Sequence, residues 1–380
     1  MTGLDSLAFA YVALNSTLNP QAPEPMKSQK VREVFLKGAA HNFDRVMVSS
    51  TLEDLQKPKV SPKNSWNFSR VTNVFCRSYA DKDYLARFRV FSHNEDWQMK
   101  LGHQTGTYMG RLWDLLRNRL TRDHEENYRA STIDVFLCDQ GQAGGEQLLA
   151  KDPFELDSNG REPLSMMIYI YQIGKWNRPI DRCRELAHEY GQATLPAPGG
   201  FPAPEPWTNG ILGESLFLSW LRKGIAEGRI QQADAFGVST AELDAYLAES
   251  VTPKLRSAAL KGPQVDLLKT KSKAAFDAYV GLHLWAESIL PRNGYSRGLL
   301  LGTPDDKDAA KLPYGLAEGA SEQKEWEMKA PAWAGKSPIW IPLAKGQVSG
   351  AKIIKKDASG WAQVQPTAGI IRIANPPIEP

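Results

Sequence analysis

The chain of 380 residues is 42% hydrophobic and 9% aromatic, long enough for one large domain with an appendage or for two to three small domains. Its 46 Lys and Arg are interspersed with 43 Asp and Glu, so the net charge of +3 gives no electrostatic case for nucleic acid or acidic lipid. The widely spaced Cys76, Cys138 and Cys183 exclude a disulfide scaffold and a Cys-x-x-Cys zinc module, and no segment reaches the roughly 18 apolar residues of a membrane span.

The apolar run "LAFAYVAL" near the start is short and lacks a basic flank, so no signal peptide is expected from it. Residues 1–81 are irregular, with prolines separating β-like runs such as "RVMVSS" and "VTNVFCRSY", and are expected to form an N-terminal β-containing segment. "YLARFRVFS" alternates apolar and polar residues and predicts a half-buried strand. Beyond it Trp97, Leu101, Met109, Leu112, Leu116 and Leu120 recur at helical spacing and predict one long amphipathic helix. His124-Glu125 at the polar end of that segment reads as solvated surface.

"TIDVFLCD" and "LSMMIYIYQI" are continuous apolar runs rich in β-branched and aromatic residues, and both predict central strands. The glycines of "AGGEQ" between them suit a plain turn, although they would also let a substrate chain approach an edge strand. Asn177 is a candidate cap for a helix running from Pro179 to about Leu195, with Ile180, Cys183, Ala187, Tyr190 and Gly191 on its packed face. A proline-rich loop, "PAPGGFPAPEPW", separates it from a second helix, "TNGILGESLFLSWLRKGIAEG". Ser239 with Glu242 forms a capping box for a third, and "TKSKAAFDAYVGLHLWAESIL" is a fourth, ended by Pro291. Residues 331–380 alternate between short apolar runs and Gly- or Lys-containing turns and predict a small β module.

The candidate chemistry lies in "HEYGQ". Residues four apart share a helix face, so His188 and position 192 can reach one ion while Glu189 addresses an adjacent part of the site. That is the geometry of HExxH, in which two imidazoles hold Zn²⁺ and the glutamate takes a proton from the metal-bound water. A catalytic zinc needs a third protein ligand, and Glu214 is the candidate: a loop that reverses the chain would turn its helix antiparallel and face it toward His188. No Gly-x-Ser-x-Gly elbow, Walker loop or GxGxxG unit occurs, and His93 and His103 have no ligand spacing to anything nearby. Cys183, one turn before His188, reads as a helix-packing thiol rather than a nucleophile.

The set "TIDVFLCD", "AGGE", "MMIYIYQI", "RELAHEYGQATLP" and "WTNGILGESLFLSWL" resembles the gluzincin class of zincin metallopeptidases, and within it bacterial proteins with a "HEYGH" helix, a Gly/Pro-rich loop and an "NGxLGE" helix. The resemblance implies an α+β fold: a zincin-like mixed sheet with covering helices and an HExxH-type helix in residues 82–310, a helical second lobe, then the C-terminal β module. It implies His188 as first zinc ligand, Glu189 as general base and Glu214 as third ligand. It also implies His283 or Tyr279 as a hydrogen-bond donor to a tetrahedral intermediate, against the ordinary reading of both as core residues of their helix. An extracytoplasmic location would follow from the family as well.

The departure is Gln192, which stands where the family has its second ligand histidine. A glutamine amide is a neutral oxygen donor, much weaker than imidazole toward Zn²⁺, so a His188, Gln192, Glu214 site would hold zinc poorly or take another metal. Two functions are therefore expected. The first is peptide hydrolysis by metal-activated water, impaired or lost; the second is a non-catalytic pseudopeptidase that binds a peptide or glycan in the same cleft. The expected partner is a peptide or protein substrate or ligand, or a glycan in the second case, with no nucleic acid and no membrane span; oligomeric state is not read from the sequence.

Overall fold

The computed structural model describes residues 34–35, 47–61, 63–64, 66–77, 85–120, 132–151, 164–202, 205–302 and 308–376. His124-Glu125 and most of the first 46 residues lie outside them. The fold is mixed α+β, and the chain divides into two compact units. One comprises Met1–Asn118, Arg129–Ala193 and Trp220–Leu243; the other comprises Arg119–Tyr128, Thr194–Ser219 and Asp244–Pro380.

The first unit is built on a seven-stranded sheet. Its strands are β1 (Val34–Phe35), β2 (Met47–Val60), β3 (Asn67–Arg77), β4 (Leu85–Ser92), β5 (Ile133–Cys138), β6 (Gly144–Lys151) and β7 (Leu164–Tyr171), in the order β1-β2-β3-β4-β5-β7-β6. The first four pair antiparallel, β4, β5 and β7 run parallel, and β6 returns antiparallel to β7 at the edge. The two apolar runs thus form β5 and β7 in the interior, where burial on both faces selects continuous hydrophobic sequence. The β-like runs before residue 81 are hydrogen-bonded into this same sheet. Pro58, which has no N–H to offer a ladder, falls where the β2–β3 register shifts between Asp54 and Lys59.

The long helix expected after β4 forms with one irregularity. Asn94 caps a first turn at Trp97 N (2.9 Å), a π-helical turn follows over Gln98–Gly102, and α1 continues over His103–Arg119. Gly106 lets α1 settle on the sheet, because a β-carbon there would stand 2.8 Å from Val74 Cγ2. The opposite sheet face carries an aromatic core in which Phe91 stacks on Phe136 (5.0 Å between centroids) and Phe136 on Tyr169 (4.8 Å).

Helices α2 (Pro179–Thr194), α3 (Asn209–Ala226), α4 (Thr240–Tyr246) and α5 (Thr252–Lys261) follow the sheet in the chain, and in the second unit α6 (Lys273–Ile289), α7 (Arg292–Gly302) and α8 (Leu312–Ser321) pack with two three-stranded sheets. The sheets comprise β8 (Glu325–Lys329), β9 (Ile339–Pro342), β10 (Gln347–Ser349), β11 (Ala351–Lys356), β12 (Trp361–Pro366) and β13 (Ile370–Ala374), ordered β10-β13-β8 and β11-β12-β9. The C-terminal strands are bound to the helices: Trp285 Nε1 donates to Trp340 O (2.6 Å) and Trp361 Nε1 to Pro313 O (2.9 Å). Among the described residues no helix is long and apolar enough to cross a membrane.

Candidate functional site

Helix α2 spans Pro179–Thr194, close to its expected range. Asn177 is not its cap. Arg178 immediately precedes the helix, and its guanidinium grips Asp181 through hydrogen bonds of 2.8 and 2.6 Å. Ile180, Cys183, Ala187, Tyr190 and Gly191 are all buried, as the helical period required. Asp181, Arg184, Glu185, His188 and Gln192 form the partly exposed stripe on the other side. His188 and Gln192 therefore share a face, one turn apart. Cys183 is fully buried with its thiol 3.4 Å from Ala235 O, and burial pushes its pKa well up, as suits a packing residue.

Glu189 is only 2% exposed and turns toward the sheet. Its carboxylate lies beneath β6: a β-carbon at Gly145 would stand 2.8 Å from Glu189 Cγ, 2.9 Å from Glu189 Oε1 and 2.9 Å from Glu185 Oε1. Residues 144–145 are thus the start of the edge strand and not the plain turn that their composition suggested. The reason is pairing with β7, which holds Gly145 opposite Ile170 whatever the intrinsic preference of glycine. Glu146, the next residue, points to the opposite sheet face, where it accepts from Tyr171 Oη and pairs with Lys63. An open groove of about 520 Å³ adjoins the start of β6, lined by Ala143, Gly144, Lys175, Trp176, Arg184 and Glu185. Glu185 was absent from the sequence-based site. Its position one turn before Glu189 on the same face was the available signal.

His188, Glu189 and Gln192 belong to the first unit, and Glu214, Tyr279 and His283 to the second. Glu214 is 5% exposed on α3 (Asn209–Ala226), after a proline-rich loop closed by a bridge between Gly199 and Trp207 and by Phe201 N donating to Pro206 O (3.2 Å). Tyr279 and His283 are fully buried on α6, edge to face at 4.6 Å, and His283 Nδ1 lies 3.1 Å from Tyr295 Oη. Burial keeps the Tyr295 phenol protonated far above the usual range.

No family model, curated protein or solved structure matches this chain. Among the described residues no group of three or more His, Cys, Asp or Glu is gathered to hold a metal ion. On α2 itself the pair offered to an ion is one imidazole and one neutral amide, His188 and Gln192. That donor set does not fit a resident zinc, which draws its affinity from imidazole nitrogen, thiolate and carboxylate ligands.

Proposed function

We propose that this protein is a gluzincin-type metallopeptidase relative in which Gln192 has lost or strongly reduced zinc-dependent hydrolysis, leaving a groove that binds an extended peptide along β6. The observation that carries this reading is the placement of the Glu189 carboxylate against Gly145 of an edge strand, on the helix that presents His188 and Gln192 on its partly exposed face. An edge strand has backbone N–H and C=O groups directed away from the sheet, and an extended peptide satisfies them by adding a strand. The adjoining groove, walled by Trp176 and Arg184, would receive side chains of such a peptide.

Hydrolysis with Glu189 as general base requires a water activated by a metal, and the neutral amide of Gln192 is the reason that step is weakened. The non-catalytic reading is favoured by the same residue. Metal analysis and cleavage of a fluorogenic peptide library by the purified chain test both. Zinc well below one per chain and no chelator-sensitive cleavage are expected, with Gln192→His restoring zinc binding. Stoichiometric zinc and chelator-sensitive cleavage in the unaltered protein would overturn the loss of activity. Absence of zinc from both versions would overturn the zincin relationship.

A further inference from the structure

A second cavity lies away from Gly145. Because β4, β5 and β7 are parallel, their carboxyl ends open at one rim of the sheet, and the segments leaving them form one pocket of about 450 Å³. Trp97 and Lys100 come from the segment after β4, Asp139 follows β5, and Gln172 and Lys175 follow β7, while Arg182 of α2 closes the side. Crevices beyond the carboxyl ends of parallel strands are where open sheets commonly hold small ligands, and this volume falls in the range of such sites.

The charges of this pocket are unbalanced in a specific way. Asp96 pairs with Lys100 at 2.9 Å and Asp139 lies 3.3 Å from His93 Nε2, so two carboxylates stand against three cations, Lys100, Lys175 and Arg182. Arg182 is partly buried over the ring of Phe236 (5.8 Å); among the described residues no carboxylate pairs with it and its Nε has no acceptor. Burial accordingly lowers its pKa, with no carboxylate acting in the other direction. Lys175 is exposed and likewise has no carboxylate partner among the described residues. Trp97 supplies a flat wall, packed so closely over Gly174 that a β-carbon there would stand 3.3 Å from its ring. Gln172, also lining the pocket, holds a left-handed backbone (φ 55°), a conformation that a non-glycine residue adopts at a cost and that collects at binding sites.

We propose that this pocket binds a small organic anion, a carboxylate or phosphate monoester on a flat apolar group, with its charged end received by Arg182 and Lys175 and its flat face on Trp97. A planar guanidinium left without a carboxylate matches either oxyanion through paired hydrogen bonds. This site requires no metal; it shares Lys175 with the groove beside β6, while Arg182 and Trp97 line this pocket and not that groove.

Calorimetric titration of the full chain with phenyl phosphate, benzoate and phenol tests it. Saturable binding of at least one anion and none of phenol is expected; the stronger of the two anions identifies the charged group. Arg182→Met should weaken that binding at least about tenfold, since it removes charge-assisted hydrogen bonds. Lys175→Met, an exposed change, should weaken it about threefold, as loss of a solvent-screened charge does. Arg372→Met on β13 should leave it unchanged. Absence of saturable anion binding, or phenol binding as tightly as phenyl phosphate, would overturn the proposal. Should Arg182→Met fail to fold, unchanged affinity in both Lys175→Met and Trp97→Ala would overturn it equally.

Discussion

At the scale of single residues, Gly145 and the buried thiols make the sharpest demands. A methyl group at Gly145 would press on Glu189 Cγ and on carboxylate oxygens of Glu189 and Glu185, which α2 holds close below the strand. Gly145→Ala should therefore cost about 1–3 kcal/mol, as overpacking does, read from the urea midpoint. Gly200, where nothing lies within 4 Å of an added β-carbon, shows no such crowding. Burial, with help from Asp139 and Glu146, pushes the Cys138 thiol up to about 12 from an ordinary 9.0. The folded state then keeps a proton that the unfolded chain releases, so this contribution to stability is complete below pH 9 and declines as pH rises toward 12. Melting temperatures measured between pH 8 and 11 should fall with a slope that Cys138→Ala reduces, each buried thiol contributing up to about 1.4 kcal/mol per pH unit. Gln192 belongs to this scale as well, since in the proposed reading this one side chain is what weakens zinc binding on α2.

At the scale of elements, hydrophobic period located α2 and the two central strands, while glycine concealed others. The chain from residue 292 to 321 carries glycines at 294, 298, 302, 315 and 319, and yielded no helix from its sequence because glycine is a poor helix former. Two helices form there, α7 and α8, and their backbones meet through those glycines: a β-carbon on Gly319 would stand 2.4 Å from Gly294 O and from Gly298 N. The loss of intrinsic propensity is repaid by interhelical packing that any larger residue would block. Gly319→Ala, which would stabilise an isolated helix, should here destabilise the protein by about 2 kcal/mol or more by chemical denaturation. Edge strand β6 was hidden for a similar reason, since its two glycines resemble turn residues until β7 pairs with them. Local patterns that need no distant partner were readable, among them the Ser239 and Glu242 capping box, with Glu242 N donating to Ser239 Oγ at 3.2 Å and Ser239 N to Glu242 Oε2 at 2.9 Å.

At the scale of the whole molecule, the strands expected after residue 331 form as two small antiparallel sheets, and they are tied to helices of the second unit. Trp340 lies over Gly262 and accepts the indole N–H of Trp285, Trp361 donates to Pro313 O, and Asn375 Nδ2 donates to Ala320 O (2.9 Å) and Gln323 O (2.6 Å). Truncation after residue 330 should therefore leave a chain without cooperative unfolding of its helices, by circular dichroism against temperature; an unchanged transition would show the strands to be dispensable. The mixed α+β class, the central strands, and His188 and Gln192 on one face of α2 were all determined by the sequence alone, because periodicity and turn chemistry act over a few residues. That Glu189 lies under Gly145, that Glu185 joins it, and that Arg182 lines a pocket whose carboxylates, Asp96 and Asp139, do not pair with it were decided only by tertiary structure. Each depends on which strand ends and helix faces the sheet order brings together, and strand pairing across long separations is not written in any local pattern.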